Sequence, residues 1–294
     1  MDRHISVRFS IVIPCYNEEA YIGETLASLK RQDFAGKFEV IVVDNNCTDQ
    51  TVRIAKSFGA RIVKEKNAGV CWARQAGTAA AKGDIIVSTD ADTLFSINWL
   101  SEIDAQFKAS DNIVAVGGGC RFVDAPGWVV VYPVLLFGYS HLVYKLTSYI
   151  PYITATNTAF KKSAWSGYNT TMTQGGDELG LLHTLVKRGK VVFTNKYVVY
   201  TSPRRLTKGF LHGFFITFLY YYILAFYLNK WFKRPIIGGA PAYRSRAQAL
   251  RQRYGVIVLA LLFTSVLMLK MHHKAYATAS HLYHKVRNIK KIDL

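Results

Sequence analysis

The sequence predicts an α/β fold built on a parallel sheet with helices on both faces. Short apolar runs alternate with amphipathic stretches between residues 9 and 92, and this alternation is typical of strand–helix–strand units. Polar residues follow the apolar runs directly, and in such sheets ligands bind beyond the carboxyl ends of the strands. Together these observations predict a ligand site at one edge of the sheet.

The individual elements follow from the hydrophobic pattern in chain order. Strands are predicted at 9–13, 40–43, 61–63, 85–89 and 114–117. Helices are predicted at about 20–29, 50–58, 98–108 and 177–188, with one more helix that carries Arg74. The first helix is the best defined, because its apolar residues recur at helical spacing.

Asp90 and Asp92 come directly after the predicted strand 85–89. Side chains alternate along a strand, so two acids spaced two apart face the same way if the extended geometry continues. Mg²⁺ is usually held by one or two carboxylates together with phosphates. The spacing alone is weak evidence, since most such pairs are solvated turn acids.

Asn17, Asp44 and Asp90 each follow a different predicted strand. The carboxyl ends of parallel strands share one edge, so these side chains are candidates for one site. A second interpretation stays open at this point. Pro14, Asn17 and Asp44 are also residue types that commonly form turns and cap helices.

Four runs in this order closely resemble the family 2 glycosyltransferases: 10–19, 42–51, 67–77 and 83–92. The resemblance covers about residues 9 to 205. It implies an inverting enzyme of GT-A fold that uses a nucleotide-sugar donor. One departure is Asn45, because the family often has a second Asp at that position.

The resemblance also implies roles for individual residues. It implies that the donor is bound by Pro14, Tyr16, Asn17, Glu18, Asp44, Asn67, Arg74, Asp90, Ala91, Arg204 and Arg205. It implies further that Asp90 and Asp92 hold Mg²⁺ or Mn²⁺ against the donor diphosphate. Paired arginines form bidentate bonds to phosphates, and Arg204 and Arg205 are therefore assigned either to the diphosphate or to lipid headgroups.

A pair of acids is expected at the acceptor side. The family opens a helix with Glu-Asp, and the second acid usually serves as catalytic base. Counting back from Gly189 places Glu178 at the position of the base and Asp177 before it, so the two acid types are exchanged here. Without the resemblance, both acids would be interpreted as favouring the positive end of a helix dipole. The segment 154–160 resembles the strand that lines the acceptor site.

The formal net charge of +18 is unevenly distributed. Residues 1–200 hold 21 Lys/Arg and 18 Asp/Glu, a net charge of +3, whereas residues 201–294 hold 16 Lys/Arg and one acid, a net charge of +15. The last part also contains two apolar stretches, 209–228 and 254–269. A membrane-spanning helix needs about 20 apolar residues, so we expect a basic, membrane-associated appendage.

Several alternatives about the membrane stay open. The two stretches either span the bilayer or lie in its interface plane, because the basic segment between them is disfavoured for translocation. The apolar segment 128–150 is either a buried core helix or an interfacial helix. No nucleic-acid module is recognisable, so the basic charge is assigned to lipids rather than to nucleic acid.

Residues 1–8 are short and polar, which predicts no signal peptide and a cytoplasmic catalytic domain. The four cysteines have no paired or metal-ligand spacing, so reduced thiols are expected. We predict three parts: a nucleotide-sugar-binding half at 1–115, an acceptor half at 116–205 and the membrane appendage at 206–294.

The function expected from the resemblance is transfer of a sugar, with inversion, to a lipid-linked or cell-envelope glycan acceptor. A polyprenyl-phosphate acceptor is the main alternative. A sugar-phosphate nucleotidyltransferase would be expected to have a glycine-rich, basic first loop. Residues 14–18 are neither glycine-rich nor basic. A non-catalytic membrane scaffold would need neither pair of acids. The oligomeric state is not indicated by the sequence.

Overall fold

The computed structural model describes residues 6–123, 125, 127–171, 177–204, 215–216, 220–221, 224–232, 234 and 236–237. Its strands are β1 (Phe9–Cys15), β2 (Phe38–Asp44), β3 (Arg61–Lys64), β4 (Ile85–Ser88), β5 (Thr93–Leu94), β6 (Ile113–Phe122), β7 (Thr158–Lys161) and β8 (Lys190–Thr201). Its helices are α1 (Ile22–Lys30), α2 (Thr51–Ser57), α3 (Val70–Ala80), α4 (Trp99–Ala109), α5 (Gly127–Thr147), α6 (Asp177–Leu185) and α7 (Ala225–Phe232). The predicted elements are confirmed, with ends shifted by a few residues.

The eight strands form one sheet in the order β3-β2-β1-β4-β7-β6-β8-β5. Strands β1 to β4 are mutually parallel, as predicted. Beyond these strands the sheet is mixed, because β7 runs antiparallel to both β4 and β6. Strand β5 is also antiparallel to its neighbour β8.

The reversed direction of β7 has a consequence for the site. Thr158, the first residue of β7, pairs with Ser88, the last residue of β4. Residues 154–157 therefore lie at the carboxyl edge of β4, beside Asp90. The boundary predicted between 115 and 116 falls inside β6, so the two proposed halves share a strand.

Apolar side chains pack on both faces of the sheet. Along β1, Phe9, Ile11 and Ile13 belong to one cluster and Val12 to the other. This is the pattern expected of a strand that is buried on both faces. Helix α3 lies very close to the sheet, since a Cβ at Gly77 would collide with the side chains of Val12 and Val43.

Helix α5 is long and apolar, and it is not wholly buried. Its segment Val129–Thr147 is the one stretch of the described chain long and apolar enough to cross a membrane. Core helices of soluble proteins meet the same criterion, so length and composition do not decide its place. The predicted apolar stretch 254–269 and most of 209–228 lie outside the described residues.

Candidate active site

The loops after β1, β2 and β4 meet at one edge of the sheet, because these strands are parallel neighbours. Cross-loop hydrogen bonds hold them together. Thr25 of α1 donates its hydroxyl to the carbonyl of Ala91, at 2.7 Å. The side chain of Ala91 is buried in the core, and its carbonyl accepts the hydrogen bond from Thr25.

Pro14 lies in β1 without disrupting the sheet. The carbonyl of Val12 accepts from Thr89 on the β4 side, and the carbonyl of Cys15 accepts from Asn45 on the β2 side. By this alternation Pro14 faces β4, whose pairing with β1 ends at Val12. The missing N–H therefore costs no ladder hydrogen bond.

Asn17 fixes the first loop against the second. Its side-chain oxygen accepts from the backbone N–H of Thr48 at 2.8 Å, and its amide donates to the Thr48 hydroxyl at 3.2 Å. Its φ of 56° is in the left-handed region, which asparagine tolerates better than most residues. The turn interpretation is thus correct for Asn17. Tyr16, just before it, is 46% exposed and leaves an aromatic face at the site.

Asp44 ends β2 and accepts a hydrogen bond from the backbone N–H of Cys47 at 2.9 Å. The next residue, Asn45, has a role that sequence reasoning missed. Its buried amide donates to the carbonyls of Glu65 at 3.0 Å and Asn67 at 2.7 Å. Its oxygen accepts from the N–H of Gly69 at 2.8 Å. An aspartate could not donate these bonds, which explains the departure from the family pattern.

Asn67, predicted to bind the donor, is exposed, and its carbonyl is the acceptor for Asn45. Gly69 lies beside it with a φ of 135°, a region that favours glycine. The loop after β3 is therefore held at the same edge as the loops after β1 and β2.

Asp90 is held by two side chains from different elements. Arg74 of α3, which is buried, donates to Oδ1 at 2.8 Å. Thr156 donates its hydroxyl to Oδ2 at 2.7 Å. The side chain of Asp90 remains 36% exposed, so it is positioned and still accessible to a ligand.

The side chain of Asp92 is only 8% exposed. It is therefore more buried than expected for an acid in the loop after a strand. Thr201 donates to its Oδ1 at 3.2 Å, and the Nε of Arg204 lies 3.0 Å from its Oδ2. Arg204 also donates to both carboxylate oxygens of the buried Glu18, at 2.6 and 3.0 Å. Arg204 thus joins the first loop of the chain to the Asp-x-Asp pair.

The guanidinium of Arg204 also lies over the ring of Tyr21, 4.7 Å from its centroid. Burial by itself would lower the pKa of Arg204, but the charges of Asp92 and Glu18 raise it above its ordinary value. The side chain is therefore a fixed cation directed into the site. Arg205 lies outside the described residues.

The donor set fits a divalent cation. Both side chains supply carboxylate oxygens, the ligands that such ions prefer, and the side chain of Asp90 remains 36% exposed. Within the described ranges no group of three or more His, Cys, Asp or Glu is placed to hold a metal. Two carboxylates suit Mg²⁺ or Mn²⁺ when phosphate and water complete the coordination.

At the acceptor side, Glu178 lies in the first turn of α6 and is buried. Tyr152 donates its hydroxyl to Glu178 Oε1, at 3.2 Å. Asp177 is the first residue of α6, and its side chain is not among the described ones.

A short segment joins the two groups of acids. Tyr152 contacts Glu178, and Thr156, four residues later, contacts Asp90. Four residues span at most about 14 Å, so a short segment connects the surroundings of Glu178 to those of Asp90. Thr154 accepts from the N–H of Thr156 at 3.3 Å and stabilises the turn that presents its side chain. The sequence indicated this segment, and Thr156 and Tyr152 themselves were missed.

The cysteines are thiols in the structure and take no part in this constellation. Burial raises the pKa of Cys47 to about 11, so its thiol stays protonated at neutral pH. It accepts from the N–H of Asn17 and donates to the carbonyl of Cys15, and it packs the junction between two loops.

Fold and site together define an α/β protein with a carboxylate-rich ligand site at the carboxyl edge of its parallel strands. The sequence model described as Glycosyl transferase family 2 matches residues 10–167. This is more than half of the chain and includes the loops after β1, β2 and β4, so the chain belongs to that family. Glu178 and Arg204 lie beyond the matched residues.

Curated relatives agree with this membership. The chain is similar to the poly(ribitol-phosphate) beta-N-acetylglucosaminyltransferase TarS of Staphylococcus aureus, with 32% identity over 106 residues, 34% of this chain and 18% of TarS. It is also similar to the uncharacterized glycosyltransferase YfnE of Bacillus subtilis, with 31% identity over 117 residues, 38% of this chain and 30% of YfnE. The matched part thus spans less than a third of either relative.

Solved structures confirm the GT-A fold. The chain is similar to S. aureus TarS 1–349 in complex with UDP-GlcNAc, with 20% identity and a TM-score of 0.54 over 67% of this chain and 58% of that one. It is also similar to a mannosyltransferase from Pyrobaculum calidifontis in complex with GDP-Man and Mn²⁺. There the identity is 23% and the TM-score 0.55, over 68% of this chain and 58% of the other.

Proposed function

We propose that this chain transfers a sugar from a nucleotide-sugar donor to an acceptor hydroxyl with inversion at the anomeric carbon. The observation that carries the proposal is the segment 152–156, which contacts Glu178 at one end and Asp90 at the other. One short segment thereby connects a candidate base to a candidate metal-binding carboxylate. Family membership supports the same reaction class.

The donor is proposed to bind over the loops after β1 and β2. In this proposal Asp44 and the loop of Asn17 contact the base and ribose, and Tyr16, which is 46% exposed, lies next to Asn17 in the same loop. The similar structures support a nucleotide-sugar donor, since TarS was solved with UDP-GlcNAc and the mannosyltransferase with GDP-Man. The nucleotide and sugar of this chain stay unassigned.

Asp90 and Asp92 would hold Mg²⁺ or Mn²⁺ against the donor diphosphate. Such a cation supplies Lewis-acid stabilisation of the charge that develops on the leaving nucleoside diphosphate. Arg204 lies 3.0 Å from Asp92 and points into the site, which favours the diphosphate over lipid headgroups as its target. Arg74 orients the carboxylate of Asp90.

Glu178 is proposed as the general base. The acceptor hydroxyl gives its proton to the Glu178 carboxylate as its oxygen attacks the anomeric carbon, and the bond to the diphosphate breaks with its electron pair leaving on the diphosphate. A single displacement of this kind inverts the anomeric centre, as it does in inverting glycosidases. Tyr152 orients the carboxylate.

The acceptor is proposed to be lipid-linked or a cell-envelope glycan, with the basic segment 206–294 holding the chain on the membrane and the catalytic domain in the cytoplasm. A polyprenyl phosphate is the alternative acceptor. It arrives already ionised and would need no base, so the buried, hydrogen-bonded Glu178 favours a hydroxyl.

The test is to incubate the purified full chain with a panel of UDP- and GDP-sugars and a bacterial lipid extract. The account expects one donor to yield a glycosylated lipid whose anomeric configuration, read by NMR, is opposite to that of the donor. Retained configuration would contradict the single displacement. Transfer of a nucleotide instead of a sugar would establish the nucleotidyltransferase alternative.

A further inference from the structure

Helix α5 has two faces of different surroundings. Val129, Phe137 and Ser140 are buried on the inner face. There Phe137 stacks on Phe193 of β8, with ring centroids 6.4 Å apart. The outer face is formed by large apolar side chains that are each at least 51% exposed: Val131, Val134, Leu135, Tyr139, Leu142 and Leu146.

This outer face forms a continuous apolar stripe. A helix of 21 residues is about 31 Å long, and the six exposed side chains are distributed over most of it. Soluble monomers seldom expose apolar patches of this extent, and where they do the patch usually contacts a protein or a membrane.

The charges of α5 and of its neighbouring strand favour a membrane as the binding partner of the outer face. The helix contains no Asp or Glu, and its one formally charged residue is the exposed Lys145. Lys196 is exposed in β8, the strand on which α5 packs and whose Asn195 donates to the carbonyl of Phe137 at 3.2 Å. An apolar helix face without acids, in a chain with a formal net charge of +18, suits an anionic membrane interface.

We propose that the outer face of α5 docks on an anionic phospholipid bilayer, with the helix lying parallel to the surface at the boundary of headgroups and acyl chains. The helix does not cross the bilayer in this arrangement. Its inner face is packed on β6 and β8, so only the outer face is available to lipid.

Docking through α5 would place the candidate acceptor site at the membrane surface. The ring of Phe137 lies 6.1 Å from that of Tyr152, whose hydroxyl contacts Glu178. The helix is thus one side chain away from the residue that orients the candidate base. This step rests on the proposed function. It assigns an acceptor that is carried by a lipid and whose reacting group stays near the headgroups.

The experiment uses the full chain reconstituted in vesicles of phosphatidylcholine and phosphatidylglycerol. An environment-sensitive NBD label is attached at Leu142→Cys. A matched control carries it at Ile97→Cys, which replaces another apolar side chain, 61% exposed, on a different surface. The parent chain, treated identically, gives the background from its four native cysteines.

The inference predicts that vesicles shift the emission of the label at 142 to the blue, protect it from aqueous iodide and expose it to quenching by nitroxide-labelled lipids. The label at 97 should stay in water.

Protection from iodide without quenching by the lipids would overturn the inference, because a second copy or the segment 205–294 would then cover the face. Emission typical of water would overturn it as well, and equal quenching in phosphatidylcholine alone would contradict the role of anionic lipid. The label reports docking without any turnover, so its result does not depend on the proposed reaction. Release of nucleoside diphosphate in the same sample would report that reaction separately.

Discussion

Arg204 holds Glu18 in a bidentate ion pair across 186 positions of the chain, with Nη1 and Nη2 at 2.6 and 3.0 Å from the two carboxylate oxygens. The same guanidinium contacts Asp92 through Nε. The end of β8 is thereby joined to the loop after β1 and to the Asp-x-Asp pair. Arg204, which follows the last strand, therefore belongs to the candidate site.

Removing this cation should destabilise the domain as well as weaken donor binding. Arg204→Met removes the cation that pairs with the buried carboxylates of Glu18 and Asp92, and breaking a buried ion pair costs about 3–5 kcal/mol. Urea unfolding of the full chain in detergent measures the loss. Arg53→Met, which removes an exposed arginine on α2, is the matched control. Equal stability of the two variants would show that the ion pair contributes nothing.

The assignment of the base gives a ranking of two variants. Glu178→Gln should lower kcat by about 10²–10⁴-fold, the usual contribution of general base catalysis, and leave the KM for the donor nearly unchanged. Asp177→Asn should lower kcat far less, since the count back from Gly189 places Glu178 and not Asp177 at the position of the base. Steady-state kinetics decide between them. The opposite ranking would make Asp177 the base, and no effect of either would favour an acceptor that arrives ionised.

Asn45 offers a test of the loop architecture. Asn45→Asp places a carboxylate against the carbonyls of Glu65 and Asn67 and removes two donated hydrogen bonds. A buried group left without its partner costs about 1–3 kcal/mol, so the midpoint of unfolding should fall. Asn46→Asp, at an exposed position with one such bond, should have a smaller effect. If both changes are equally mild, Asn45 does not hold the loop.

Acid should weaken the contact between β2 and β3 through Glu39, which pairs with Arg61. Burial by itself would raise the pKa of this carboxyl, but hydrogen bonds from Ser10 and Lys82 and the Arg61 guanidinium lower it below the ordinary value of 4.5. A folded-state pKa below the unfolded one stabilises the fold above about pH 4.5, and that contribution is lost as the pH falls through the lowered pKa.

Urea unfolding at a series of pH values measures this contribution. Glu39→Gln should be less stable than wild type at neutral pH, and the difference should shrink as the pH falls below 4.5. Glu24→Gln, at an exposed position on α1, is the control. A difference that stays constant with pH would mean that ionisation of Glu39 is not the cause.

The sequence predicted those parts of the fold and site that local patterns determine. Strands β1, β2 and β4 are apolar runs with polar ends, and Asn17, Asp44 and Asp90 were found because they follow such runs. The antiparallel direction of β7 was not predictable, since a four-residue strand has the same pattern in either direction.

Long-range contacts were also beyond sequence reasoning. The contact of Arg204 with Glu18 and the burial of Asp92 both depend on how the end of β8 returns to the first loop. Tyr152 and Thr156 were missed for a similar reason, because their contacts with Glu178 and Asp90 arise only from the reversed entry into β7. The amide of Asn45 marked a departure from the family, and its partners became visible only in the structure.

The central claim is that Asp90 and Asp92 bind a divalent cation together with the diphosphate of a nucleotide sugar. Its most direct test is the release of nucleoside diphosphate from the donor panel by the purified full chain, with Mn²⁺ and with EDTA. The account predicts release that requires Mn²⁺, that is abolished in Asp92→Asn and that is retained in Asp111→Asn, which changes an exposed acid before β6. Release that persists in EDTA, or near-wild-type release by Asp92→Asn, would contradict it.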